Sequence, residues 1–589
     1  MARRHGSVHV ATTRRAYKGR VYESHLLRRT YREGKQVKHE TLGNISHLPP
    51  HVIDMIRRAL RGETFVAASD SLEVTRTLPH GHVAVVLQVL KKLQLDRIIS
   101  ARPSPELSRV LAMIVARVVW PASKMSLARA LSGQTAISTL SDLLGIEDVS
   151  EDQLYAAMDW LLKRQNRIEK RLASKHLSEG SLVLYDLTST YYTGRHCPLA
   201  HFGHNRDGKK RFPQVEFGLL CSRDGCPIAV SVFPGNTADP KTVNRQVQKL
   251  RTRFNLQRVV IVGDRGMITA ARIRDELAPL PGVSWITALR NSAIRKLADA
   301  NVVQPGLFDE TDLAEIQSPD YPGERLILCR NPLLAKERSR KRQELLAETE
   351  EDLKKLCSAT RRRSRPLRGK ERISVRLDRL LRKHKVRKHF IVEVTETGLT
   401  YRRNEESIEA EARLDGIYII RSNLPKKRMS PEQLVAAYKD LSRVERAFRS
   451  LKTVDLKVRP IFHRDSSRVK AHIFICVLAY YVEWHMRQAL APMLFDDDDK
   501  DAAAALRRSI VAPARKSPRA LRKAAARTTE EGTPVQSFHD LVQGLGCIAR
   551  NTIQTEGGGS KSNFHMLTTP SPWHRKALKL LGLSSLPTK

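Results

Sequence analysis

Apolar residues recur at i, i+3, i+4 and i+7 through residues 81–178. HVAVVLQVLKKLQL, ELSRVLAMIVARVVW and EDQLYAAMDWLLKRQNRIEKRLA each carry this spacing, which predicts amphipathic helices. Helix-turn-helix and plain packing roles are equally open there, because helical period does not identify a recognition helix. The pattern changes at residue 181. SLVLYDLTSTYY is β-rich. QVEFGLLCS and IAVSVFPG flank Arg223-Asp224-Gly225-Cys226-Pro227, a tight-turn signal, and predict a hairpin. Asp239-Pro240 predicts the start of a helix over KTVNRQVQKLRTRF, with Asp239 as N-cap and Pro in the first turn. RVVIVGD reads as a buried strand, MITAARIRDELAPL as a helix and VSWITAL as another strand.

Three strands, helix, strand, helix, strand is the order of a ribonuclease-H-like α/β core, an antiparallel trio extended by parallel strands through helical crossovers. The expected organisation around it is as follows. Residues 1–80 form a basic region with a hairpin turning at Glu33-Gly34-Lys35 and a short helix stopped by Gly62. Residues 81–178 form a helical subdomain and 179–290 the first part of the core. Residues 291–428 are a long mixed α/β insertion, with strand-like HFIVEVT, LTYRRN and GIYIIRSN. Residues 429–494 return to core helices. Residues 495–535, with DDDDKDAAAALRR and APARKSPRALRKAAARTTEEGTP, read as a linker. Two helices are expected within 536–589.

Charge narrows the function classes. The chain has 103 Lys and Arg against 62 Asp and Glu, a net charge of +41. Such an excess repels itself unless a polyanion neutralises it, so nucleic acid is the leading partner. Arg361–Lys388 alone holds fourteen basic residues and two acids. There is no charge-free apolar run of about 20 residues, and the N-terminus MARRHGSVHV lacks an apolar signal core. The seven cysteines are scattered, odd in number and without CxxC pairs. A reduced, cytoplasmic and nucleoid-associated protein is expected.

Phosphodiester chemistry needs clustered acids that hold divalent ions and are not already paired. Asp186 lies within an apolar strand, where a charge is costly unless a metal or partner satisfies it. Asp264 ends RVVIVGD, at the carboxyl edge where sites form in open α/β sheets. The two strands are neighbours in the expected fold, so the carboxylates would converge. YKDLSRVERAFRSLK supplies a third acid: Tyr438, Leu441, Glu445, Arg449 and Lys452 share one helical face. Glu445 then points at the metals, while Arg449 and Lys452 meet phosphates. The competing reading of that helix is a surface ion pair between Glu445 and Arg449.

YDLTSTYYTG, GHNRDGKKRFPQVEFGLL, GCPIAVSVFPGNTAD, VVIVGDRGMIT, DGIYIIRSN and VERAFRSLKTVDLKVRPIFHR together resemble a DDE transposase of bacterial insertion sequences. The likeness is to the IS-four-type superfamily, most of all its sixteen-thirty-four branch, over roughly residues 15–490. It implies Asp186, Asp264 and Glu445 as catalytic and metal-binding triad, two Mg²⁺ ions (or Mn²⁺), and a homodimer or larger synapse on double-stranded DNA. The superfamily signature around the Glu is Tyr, two residues, Arg, three residues, Glu, six residues, Lys. Tyr438, Glu445 and Lys452 match it, but Leu441 stands at the Arg position, with Arg449 as a substitute phosphate contact. Lys209, Lys210, Arg211 and Arg265 are the other expected DNA contacts.

Remaining candidates carry blander readings. His196, Cys197, His201 and His204 contain zinc-ligand types, but their spacing fits no standard finger. Asp239 is an alternative acid whose place before Pro240 favours capping, Trp285 could stack on an unpaired base but its setting favours a core strand, and Asp496–Asp499 are expected to be a solvated run. For His463 and His472, DNA contact and packing are both open. Two alternative functions remain: a non-catalytic DNA-binding descendant of the fold, and a ribonuclease-H-like nuclease that does not transpose.

Overall fold

The computed structural model describes residues 6–63, 65, 72–209, 211–303, 308, 312–507, 509–512, 515–557 and 560–588. They divide into two compact units, Met1–Leu78 with Ala549–Thr568, and Pro79–Ile548 with Thr569–Pro587.

In the first unit, strands β1 (Ser7–Tyr17), β2 (Arg20–Glu33) and β3 (Gln36–Asn44) form an antiparallel meander. The β2–β3 turn runs through Gly34 at φ +65°, a left-handed conformation that glycine adopts without a Cβ clash. A helix over Pro50–Leu60 follows. Strand β4 (Leu72–Pro79) lies in a second sheet with strands Ala549–Gly557 and Ser560–Leu567. The sequence reading anticipates neither β1 nor that late hairpin.

The second unit opens with helices. Gly81–Lys92 is buried along nearly its whole length, as is α1 (Pro105–Val119). A helix covered on every side cannot enter a DNA groove, so these two are packing elements. They are followed by α2 (Glu151–Leu162), started by a Ser150–Gln153 capping box, and α3 (Gln165–His176).

Next come β5 (Leu182–Tyr191), β6 (Gln214–Ser222), β7 (Pro227–Pro234), β8 (Val259–Val262) and β9 (Val283–Ala288). β5, β6 and β7 are antiparallel neighbours, and β8 then β9 add in parallel on the other side of β5. β8 is buried along its whole length, as a parallel strand covered on both faces must be. Trp285 on β9 is 4% exposed, in keeping with a core residue.

The sheet does not stop at β9. Strands β10 (Leu313–Ile316) and β11 (Arg325–Arg330) extend it, giving a mixed eight-stranded sheet once the chain returns. Between them and that return lie α4 (Pro332–Thr360), α5 (Lys370–His384) and a two-stranded ribbon of β12 (Phe390–Val394) and β13 (Leu399–Arg403). These pieces share their own apolar cluster, including Leu353, Ile373, Leu377 and Phe390. β14 (Ile417–Ser422) then inserts antiparallel between β9 and β11. The block expected as one insertion over 291–428 is therefore corrected. Its strands RLILCR and IYIIRS are buried runs that complete the main sheet, and among the described residues it is 331–416 that stand apart from it.

Helices α6 (Pro431–Lys439), α7 (Leu441–Arg449) and α8 (Ser466–Leu490) follow. α7 packs on β5, and α8 packs on α1, α2 and β7. Residues 495–535 are a second correction. They contain helices Lys500–Ala505 and Pro518–Ala526. Asp499 caps the first, Asp497 accepts from Ser517, and the buried Lys523 pairs with Asp498. Asp496 pairs with Arg487 at 3.5 Å, so all four acids expected to be a solvated run have a specific donor and fix a folded segment. Among the described residues no single helix is long and apolar enough to cross a membrane.

Candidate active site

Register brings the first two acids together. Leu184 on β5 stands opposite Val262 on the parallel β8. The pairing ends there, two residues short of both Asp186 and Asp264, so the two acids leave neighbouring strands at the same end of the sheet and line one cavity. α7 supplies the third acid. Val444, Ala447 and Phe448 are its buried face, and Phe448 meets Phe217 of β6 edge-on at 5.6 Å between ring centres. Glu445, next to Val444 on the helix, is left exposed. Asp186, Asp264 and Glu445 line one cavity of about 920 Å³, together with Tyr438, Leu441, Arg449 and Lys452.

The electrostatics of that cavity are those of a buried carboxylate with two further acids beside it. Burial pushes Asp186 up to about 7; the Leu187 N–H and Arg206 work against this, and the charges of Asp264 and Glu445 add to it. Asp186 accepts from the Leu187 N–H at 2.8 Å, and Asp264 accepts from the Gly266 N–H at 3.1 Å and the Tyr438 hydroxyl at 3.3 Å. Among the described residues none of the three acids makes an ion pair, so the Glu445–Arg449 pair does not form. The donor set is all oxygen, the preference of a hard divalent cation. A cation would also offset the burial that raises Asp186 and the smaller repulsion from Asp264 and Glu445, so the residues fit such an ion.

The other expected contacts divide. Arg449 is exposed at the cavity and Tyr438 is tied to Asp264. Lys452 donates to Thr188 Oγ1 and the Ser189 carbonyl, and it pairs with Asp207, which also holds Arg459 at 3.0 Å. Arg265 donates to Asn291 at 3.1 Å. Lys209 and Arg211 are exposed and do not line the cavity, and Lys210 lies outside the described residues.

Sequence reasoning missed Arg206, Asp207, Lys439 and Arg459, which line the cavity together with Asp239, the alternative acid expected to cap. Asp239 does not cap its helix: it accepts from Arg206 at 2.6 Å. Proline fixes the first turn there without help from the side chain. Lys439 donates to the carbonyls of Ile510, Val511 and Ala512, which seats Val511 on the cavity wall. The GHNRDGKK motif was the available signal for Arg206 and Asp207, but their partners lie 33 to 252 positions away. His196, Cys197, His201 and His204 do not gather into a ligand group among the described residues. His472 is buried and bonds the Val458 carbonyl, and His463 packs edge-on to Tyr155, so both serve packing.

The family model for the transposase DDE domain matches residues 178–482, just over half the chain, and the chain belongs to that family. Residues 10–70 match the N-terminal domain of the IS1634 family of transposases. No curated protein matches. Among solved structures, a cryo-EM structure of a piggyBac transposase synaptic complex with hairpin DNA is similar at 8% identity, covering 79% of this chain and 77% of that one, with a TM-score of 0.34.

Proposed function

We propose that this protein is a DNA transposase that cleaves phosphodiester bonds at the ends of its own insertion sequence and joins the freed 3′ ends to target DNA. The reading rests on three carboxylates that share one cavity and have no cationic partner among the described residues. The antiparallel β5–β7 trio continued in parallel by β8 and β9 supports a ribonuclease-H-like core. Asp186, Asp264 and Glu445 would hold two Mg²⁺ ions, with Mn²⁺ a substitute. Once bound, such ions lower the pKa of an attacking water or hydroxyl and stabilise the leaving oxygen.

The remaining steps fall to the chain itself. The Tyr438 hydroxyl holds Asp264 in orientation. Asp186 must be ionised to act, and burial sets its proton loss near neutrality. Arg449, exposed at the cavity, is placed to pair with a DNA phosphate. Lys452 and Arg459 become available to phosphate once Asp207 gives them up. Acting on two ends calls for a homodimer or larger assembly on double-stranded DNA.

The test is cleavage and joining of end-bearing plasmid DNA by wild type, Asp186→Asn, Asp264→Asn and Glu445→Gln. Each variant is expected to bind the ends and to lose cleavage by roughly 100-fold or more, the effect of several kcal/mol at the transition state. Wild-type rates in any of the three would overturn the assignment. Cleavage without joining would identify a simple nuclease, and binding without cleavage by wild type a regulatory protein.

A further inference from the structure

His176, Cys226 and His485 come from three separate elements and meet at one point. His176 ends α3, Cys226 sits in the β6–β7 turn, and His485 lies near the end of α8. One ligand atom from each lies within 4.8 Å of the other two, and this is the one such His/Cys group found among the described residues. Cys226 Sγ is 4.0 Å from His176 Nε2. His485 Nε2 is buried and has no hydrogen-bond partner. A buried ring nitrogen left without a partner is a cost that a bound ion would remove.

The surroundings are built to hold these groups in place. The turn is locked by the Cys226 N–H donating to Ser222 Oγ and by Ser222 N–H donating to the Cys226 carbonyl. Gly225 takes φ +85°, and a Cβ there would meet Arg443 at 2.8 Å. The His485 ring lies against Tyr481 at 4.7 Å and Trp484 at 4.8 Å, both edge-on. Tyr481 also places its hydroxyl 3.0 Å from His176 Nε2. None of the three residues lines the catalytic cavity. Val183 on β5 is opposite Ser222, whereas Asp186 is opposite Leu219, so the cluster lies toward the start of β5, away from Thr188 and the cavity.

We infer that His176, Cys226 and His485 form a structural site for a borderline-soft divalent cation of the zinc class, which staples the β6–β7 turn to α3 and α8. Two imidazoles and one thiolate suit zinc and cobalt far better than magnesium. Zinc bonds of about 2.0–2.3 Å place tetrahedral ligand atoms roughly 3.5 Å apart, so the side chains need close by little more than an ångström. Coordination releases the Cys226 thiol proton to solvent and exchanges the Tyr481–His176 hydrogen bond for a metal bond. Water or the Tyr481 hydroxyl completes the fourth position.

The probe is Co²⁺ added to reduced, chelator-stripped full-length protein, with Zn²⁺ as competitor. Only a sulfur ligand gives the near-ultraviolet thiolate-to-cobalt absorption, so metal on the catalytic carboxylates is silent in this readout. Wild type and Asp186→Asn are expected to give the band and lose it to Zn²⁺. Cys226→Ser and His485→Gln are expected to give no band, and Zn²⁺ is expected to raise the melting temperature of wild type but of neither variant. His485→Gln keeps the thiol and reads the site even if Cys226→Ser fails to fold. Folded wild type without the band, or a band that survives both substitutions, would overturn the inference while leaving the DNA chemistry untouched.

Discussion

Glu216 lies on β6 opposite Ser189, where the charges of Arg206 and Asp239 act on it, and one of its carboxylate oxygens is buried without a partner. Burial pushes it up to about 8 from an ordinary 4.5, with Arg206 opposing and Asp239 adding. A carboxyl raised on folding contributes its full stability below the unfolded value and loses it as pH rises through the folded one. Glu216→Gln removes that loss. The variant should melt with wild type below about pH 4.5 and become more stable across the window up to about pH 8, by on the order of 1–3 kcal/mol. Parallel thermal melts over that range check it; a difference that shrinks as pH rises would refute it. The contrast with Asp186 explains which residues could be read from sequence. An acid inside SLVLYDLTSTYY stands out because its own neighbours cannot pay for the charge. Asp207 did not stand out and Asp239 read as a helix cap, because the cations that explain them, Lys452, Arg459 and Arg206, belong to distant segments.

At the scale of elements, α7 couples stability to chemistry. Phe448 and Glu445 are three residues apart, the first wedged on Phe217 and the second exposed at the cavity. Phe448→Ala should cost about 3–5 kcal/mol through lost burial and a residual cavity. Cleavage should fall even well below the melting temperature, because the helix loses its seat on the sheet. Phe448→Leu, close in volume, should lose less than about 1.5 kcal/mol and keep most activity. Calorimetry with a cleavage assay separates the two effects; an unchanged rate in the alanine variant would mean that Glu445 is positioned some other way. Helices and buried strands such as α7 and β8 were legible because their period or length is set by the sheet they cover. Residues 495–535 were not, since Ala-Arg-Lys composition mimics a solvated tether. What folds them is Lys523, whose ammonium donates to the Ala491 and Asp496 carbonyls and to Asp498. Lys523→Ala leaves Asp498 buried with Arg519 as its remaining cation, and breaking such a pair costs about 3–5 kcal/mol. Limited proteolysis should then cut within 495–535 in the variant and spare wild type.

For the whole molecule, the excess of +41 was plain from composition, but the surface that uses it is set by the fold. On α5, Ile373, Leu377 and Leu381 face the insertion's own core. Arg372, Arg376 and Arg379 are exposed on the other side, and among the described residues none of these three makes an ion pair. Arg382, Arg387 and Lys383 nearby are already engaged with Asp378 and Asp352. Unengaged guanidiniums spaced along one helix face suit a phosphate backbone, and each phosphate neutralised adds about 0.9 to the slope of log K against log salt. Wild-type affinity for duplex DNA should therefore fall steeply, by roughly 10³–10⁵ between 50 and 200 mM salt if six to ten phosphates are engaged. Replacing Arg372, Arg376 and Arg379 with alanine should lower that slope by up to about 3 and weaken binding equally for end and unrelated sequences. At low salt and saturating DNA the variant's cleavage rate should match wild type, since the three arginines lie outside the catalytic cavity. A slope left unchanged would move the electrostatic footprint off α5. A loss confined to end DNA would instead make this face a reader of sequence rather than a backbone clamp.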